Sequence, residues 1–212
     1  MEIDFQLVSY LSSVLLFIGV LVGIIGLFKS NKRPIIIWLY VFVCLSFDIL
    51  SRHYWSSNNN VFLFPWLSAF ELVLFYAFYY STFRNKLIHI LSLIGMMIIL
   101  YEIVYIQTDI IENYQPYSRT ISSFIILIYS MLAAINIIRF NQTIKPELSL
   151  INFVLLFYFF SQLVILLPFN YLINNDTSYI LGVWVFNFIV HILFYSFIVF
   201  YLWKSGNRMK QL

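Results

Sequence analysis

The sequence predicts an all-α fold: a polytopic membrane protein, a seven-transmembrane-helix bundle with its N terminus outside and its C terminus cytoplasmic. Three observations carry this. First, 62% of the 212 residues are hydrophobic and only 10% are charged, against roughly 25% charged in an average globular domain. No water-soluble core could hide that surface. Second, the apolar residues gather into seven runs, 5–28, 35–55, 61–82, 87–106, 119–139, 149–170 and 179–203, each near the length of about 20 residues that crosses a bilayer. Third, Lys and Arg alternate from loop to loop. Lys29, Lys32, Arg33, Arg84, Lys86, Arg139, Lys145, Lys204, Arg208 and Lys210 fall on one side, and only Arg52 and Arg119 on the other. Under the positive-inside rule the side with ten is the cytoplasm.

The whole chain, 1–212, reads as one transmembrane domain. Its short loops leave no room for a separate soluble unit, which excludes a built-in kinase, nucleotidase or DNA-binding module. The formal charge of +3 is spread over loops between apolar runs, so it marks topology and not a nucleic-acid footprint. The partner it implies is the lipid bilayer. The single cysteine, Cys44, sits in an apolar run and reads as a small packing residue.

Span one has no basic residue before it, is longer than a signal-peptide core, and ends in Lys29, Lys32 and Arg33 instead of a small-residue cleavage site, so it is expected to stay as an anchor. Its Gly19, Gly23 and Gly26 form a small-residue face that lets another backbone come close. Packing within the chain is expected ahead of a dimer contact. Span two opens at Pro34, suited to a helix start, and strings Tyr40, Cys44, Asp48, Ser51 and Arg52 along one stripe. Asp48 precedes Arg52 by four residues, the favourable order for an intrahelical ion pair; the alternative is an acid lining an outward-open cavity.

Span three carries Glu71 in LSAFELVLFY, about 15 Å below the outer boundary at 1.5 Å per residue. An intramembrane acid is costly and faces protein or a water-filled cavity. It is either protonated and bonded to a Tyr or Ser of the bundle, or a proton or ligand site with a partner on another helix. Span four holds Ser92, Gly95 and the shallower Glu102; the outer loop after it contains Asp109 and Glu112, which ordinary solvation explains. Span five places Arg119, Ser122, Ser123, Tyr129, Ser130, Ala133 and Asn136 at helical spacing, the clearest inward face in the chain. Arg119 is expected to pair with Glu102 or with an anionic ligand or headgroup. Span six adds Tyr158, Ser161, Gln162 and Pro168, and span seven Trp184, Asn187, His191 and Tyr195. A Glu71–His191 pair at mid-depth would suit proton chemistry, whereas a buried histidine satisfied by a hydroxyl is the more frequent case.

Residue types exclude several activities. Retinal needs a lysine inside the bundle, and all the lysines lie at cytoplasmic loops or their edges. His53, His89 and His191 sit at different depths, so a three-histidine metal site fails. HExxH, GxSxG, CxxC and a glycine-rich phosphate loop are all missing from the sequence. No metal, cofactor or catalytic residue is assigned.

The acid within LSAFELVLFY, the Arg119 that opens span five, YFFS at 158–161 and WVFNFIVH at 184–191 resemble an uncharacterised group of small seven-helix proteins common in Bacteroidota. The resemblance implies a seven-helix bundle in a bacterial inner membrane and supplies no established activity. The candidate ligand or proton-site residues are Glu71, His191, Asp48, Arg119, Glu102, Gln162 and Asn187. The leading expectation is a receptor-like or accessory signalling module with an outward-facing polar cleft for a small apolar or amphipathic ligand or a membrane protein partner. The alternatives are a small proton-coupled transporter using Glu71 and His191, and a carboxylate-based lipid-modifying enzyme.

Overall fold

The computed structural model describes residues 5–27, 32–55, 62–108, 117–139, 146–175 and 180–207. They form seven helices: α1 (Phe5–Leu27), α2 (Lys32–Trp55), α3 (Leu63–Phe83), α4 (Lys86–Thr108), α5 (Tyr117–Arg139), α6 (Pro146–Asn175) and α7 (Ile180–Asn207). Lys29, Asp109, Glu112, Lys145, Arg208 and Lys210 lie outside the described residues, as do the surroundings of Gly26, Lys32, Arg33, Pro34 and Pro168.

Six helices contain stretches long and apolar enough to cross a membrane: Ile35–Tyr54, Leu63–Phe83, Lys86–Val104, Tyr117–Arg139, Leu148–Leu167 and Gly182–Ser205. The seventh, α1, carries a shorter apolar stretch, Tyr10–Ile25. Helices are what such runs must form, because hydrocarbon offers backbone N–H and C=O groups no partner outside the segment itself. One helix differs from the sequence expectation: Pro168, expected near the end of span six, lies inside α6, which continues to Asn175.

The tight turn between α3 and α4 shows how local chemistry sets the register. Arg84 adopts the left-handed conformation (φ 47°, ψ 36°) and its N–H returns to the Tyr80 carbonyl at 3.0 Å. The Asn85 side-chain oxygen then accepts the Leu87 N–H at 2.9 Å, satisfying one of the donors a helix start leaves open.

The helices close a ring. α1 packs against α2 and α7, α2 against α3, α3 against α5, α5 against α6 and α6 against α7, while α4 sits outside, against α3 and α5. The ring is inverted in polarity relative to a water-soluble protein. Glu71, Arg119, Ser122, Ser123, Ser130, Asn152 and Gln162 are buried, while Phe17, Ile25, Phe70, Met97, Ile138, Phe153, Leu167 and Trp203 are exposed. Apolar patches on that scale are not left in water, and the geometry supports a multi-pass membrane protein.

Gly19 and Gly23 of α1 serve contacts inside the chain. A Cβ on Gly23 would overlap the Trp38 indole of α2, whose Nε1–H donates to the Val20 carbonyl at 3.0 Å. A Cβ on Gly19 would press on Val41 of α2 and Val199 of α7. The GxxxG face is therefore filled by neighbouring helices of the same protein.

Candidate functional site

The deepest polar node joins α2, α3 and α5. Glu71 is fully buried; Arg119 Nη1–H donates to its Oε2 at 2.7 Å, and the Tyr40 hydroxyl donates to Oε1 at 3.1 Å. Glu71 sits about 12 Å along α3 and Arg119 about 3 Å along α5, counting 1.5 Å per residue. The arginine side chain must therefore reach into the bundle instead of out to water. A guanidinium has five N–H donors. Glu71 takes one, no second acceptor meets Arg119 among the described residues, and the side chain keeps 11% of its surface open. Cys44 of α2, Tyr158 of α6 and Tyr195 of α7 lie within electrostatic reach of the pair. Tyr158 stacks on Phe194 with ring centroids 3.7 Å apart, so the node is walled by aromatic faces.

Two pairings suggested by the sequence do not form. Arg119 turns to Glu71 and not to Glu102. Glu102 instead accepts the Ser118 backbone N–H at 2.7 Å and the Ser118 hydroxyl at 3.1 Å, placing a carboxylate at the positive end of α5 where the helix dipole favours it. It is buried, although its position near the outer end of α4 had suggested contact with water. Nor does Glu71 meet His191. The Asn187 carbonyl can only accept, so His191 Nδ1–H donates to it at 2.9 Å, leaving Nε2 to accept from the Tyr158 hydroxyl at 3.3 Å. Gln162 Nε2–H donates to Asn187 Oδ1 at 3.0 Å and ties α6 to α7.

Asp48 does pair with Arg52, Nε to Oδ2 at 3.1 Å. Ser13 joins them, donating to Asp48 at 2.6 Å and accepting from Arg52 Nη2 at 2.8 Å. The guanidinium also lies 4.8 Å over the Tyr10 ring. This half-exposed cluster clamps α1 to α2, apart from the central node.

One buried network has no counterpart in the sequence reading. The Tyr79 hydroxyl donates to Asn152 Oδ1 at 2.9 Å and lies 2.7 Å from Ser130 Oγ, and Asn152 Nδ2–H donates to the Ser130 carbonyl at 3.1 Å. It locks α3, α5 and α6 together. Ser130 stands on the polar stripe of span five, and an asparagine inside an apolar run is itself a signal of interhelical bonding; Tyr79 is one of 16 tyrosines and carries none. Ser123, one turn beyond Arg119 on the same helix, is fully buried, and its Oγ has no hydrogen-bond partner among the described residues. No group of three or more His, Cys, Asp or Glu among the described residues is placed to hold a metal.

The node thus offers unused guanidinium donors and phenolic hydroxyls in aromatic surroundings, which is the equipment for holding one polar group of an otherwise apolar molecule. Comparison of the chain with protein-family models, curated proteins and solved structures returns no match.

Proposed function

We propose that this multi-pass membrane protein is a receptor-like or accessory signalling module of a bacterial inner membrane, with seven crossings, its N terminus outside and its C terminus cytoplasmic. In this reading a small apolar or amphipathic ligand enters from the end where α3 and α5 begin and binds at Arg119. The observation that carries it is the buried Arg119–Glu71 pair, which spans two helices and leaves most guanidinium donors unused. A ligand oxygen competing for those donors would loosen α5 from α3 and α2, and a partner protein would read that shift. The ligand is reached from within the bilayer or its outer face, and the basic cytoplasmic segments supply the partner contact.

Native mass spectrometry of protein released from mild detergent tests this reading. A small-molecule adduct on the wild type that is lost in Arg119→Gln supports it. A bare wild-type protein, or an adduct that survives the substitution, counts against it.

Proton-coupled transport is kept as a second reading on one observation. Tyr40 bonds Glu71 and Tyr158 bonds His191, which puts one hydroxyl beside the acid and another beside the imidazole. Proton flux into liposomes that disappears in Tyr40→Phe and His191→Ala would replace the first reading with this one.

A further inference from the structure

Charge is divided unevenly between the two ends of the bundle. By sequence, the segments around the close of α1, α3, α5 and α7 and the start of α2, α4 and α6 contain ten Lys and Arg and one acid, Glu147. Toward the other end the two remaining basic residues, Arg52 and Arg119, are both committed to carboxylates. Among the described residues, Arg84, Lys86, Arg139 and Lys204 at the basic end meet no carboxylate.

At that end, the last turns of α7 and the start of α6 form a shallow groove lined by Leu150, Phe197, Phe200, Tyr201, Lys204 and Ser205. The α7 residues at 197, 200, 201 and 204 share one helix face by their spacing of three and four. From Phe197 to Lys204 the groove runs about 10 Å along the axis. Its floor is aromatic and aliphatic; its mouth is the Lys204 ammonium, which lies 5.8 Å over the Phe200 ring and meets no carboxylate among the described residues. Trp203, more than half exposed beside it, is the residue type that settles at the headgroup level. A shallow apolar trough that ends in a cation meeting no carboxylate among the described residues matches one molecule met in a bilayer, a phospholipid with an anionic headgroup.

We propose that the α6–α7 groove is a binding site for an anionic phospholipid, with an acyl chain laid along Phe197, Phe200, Tyr201 and Leu150 and the headgroup phosphate on Lys204 and Ser205. The bilayer is the source of the ligand, since the trough has no use for a free anion. The site is independent of the Arg119 node and stands whether or not that node binds a ligand.

Delipidated full-length protein is titrated with phosphatidylglycerol, with phosphatidylcholine of the same chains, and with glycerol phosphate, and bound lipid is counted by native mass spectrometry. Phosphatidylglycerol is expected to bind best, Lys204→Gln to weaken it about fivefold, as one basic residue at a membrane surface is worth, and Lys204→Arg to restore it. Circular dichroism and melting in phosphatidylcholine confirm that the variants are folded; Phe200→Ala, which shortens the trough and keeps the charge, is expected to lower both lipids' occupancy. Equal binding of the two lipids overturns the proposal, as does unchanged binding by Lys204→Gln. Competition by glycerol phosphate at the same concentration as phosphatidylglycerol would overturn it too, by making the site one for free anions.

Discussion

A buried ion pair is poor evidence of net stability but a strong lever when broken, because removing one partner leaves an uncompensated charge. Glu71→Ala and Arg119→Ala are each expected to cost about 3–5 kcal/mol, while the double substitution costs clearly less than their sum; unfolding titrations of the four proteins in one lipid system measure this coupling. Ser123 gives the opposite sign. Its hydroxyl is buried without a partner, so Ser123→Ala should leave stability unchanged or raise it by up to about 1–3 kcal/mol, read as a higher melting temperature. The importance of Glu71 was legible in the sequence because a carboxylate at that depth has to be met by something. Its partner was not: the sequence offered Glu71 a Tyr or Ser of the bundle or His191, and offered Arg119 either Glu102 or an anionic ligand, and the meeting of Arg119 with Glu71 depends on the ring order of α2, α3 and α5, a tertiary fact. The Asp48–Arg52 pair was legible for the reverse reason, since both ends lie on one helix four residues apart.

At the level of elements, α1 and α2 are held by a steric device and a polar one. Gly23 makes room for the Trp38 indole, which then reaches the Val20 carbonyl. Gly23→Ala is therefore expected to expel the ring and destabilise by about 1–3 kcal/mol, the usual cost of overpacking, and Trp38→Ala in the same chain should recover part of the loss. Melting curves of the single and double variants check this. The α3–α4 turn holds Arg84 in a conformation that costs a side chain about 1–2 kcal/mol. Arg84→Gly should raise stability toward that figure in the same assay, without moving either helix. The helices themselves were written in the apolar runs, and their ends differ from those runs by up to five residues, most at the close of α6 and of α7. The Tyr79–Ser130–Asn152 lock was hidden because a membrane protein rich in tyrosine uses the same residue for interfaces and for cores.

For the whole molecule, the alternation of basic loops in the sequence predicts an orientation that labelling can measure. In a Cys44→Ala background, Glu2→Cys should react with an impermeant maleimide on intact cells, and Gln211→Cys only after the membrane is opened. The reverse pattern would place the ten basic residues outside and remove the basis of the lipid site as a cytoplasmic feature.

The closed ring also bears on how the protein is made. Helices leave the ribosome in order, yet α1 packs most extensively against α7, so α1 meets its largest partner only once α7, six helices later, has been synthesised. Until then the face around Gly19, shaped for Val199, stays open to lipid. A chain truncated before α7 would leave α1 packed against α2 alone and α6 against α5 alone.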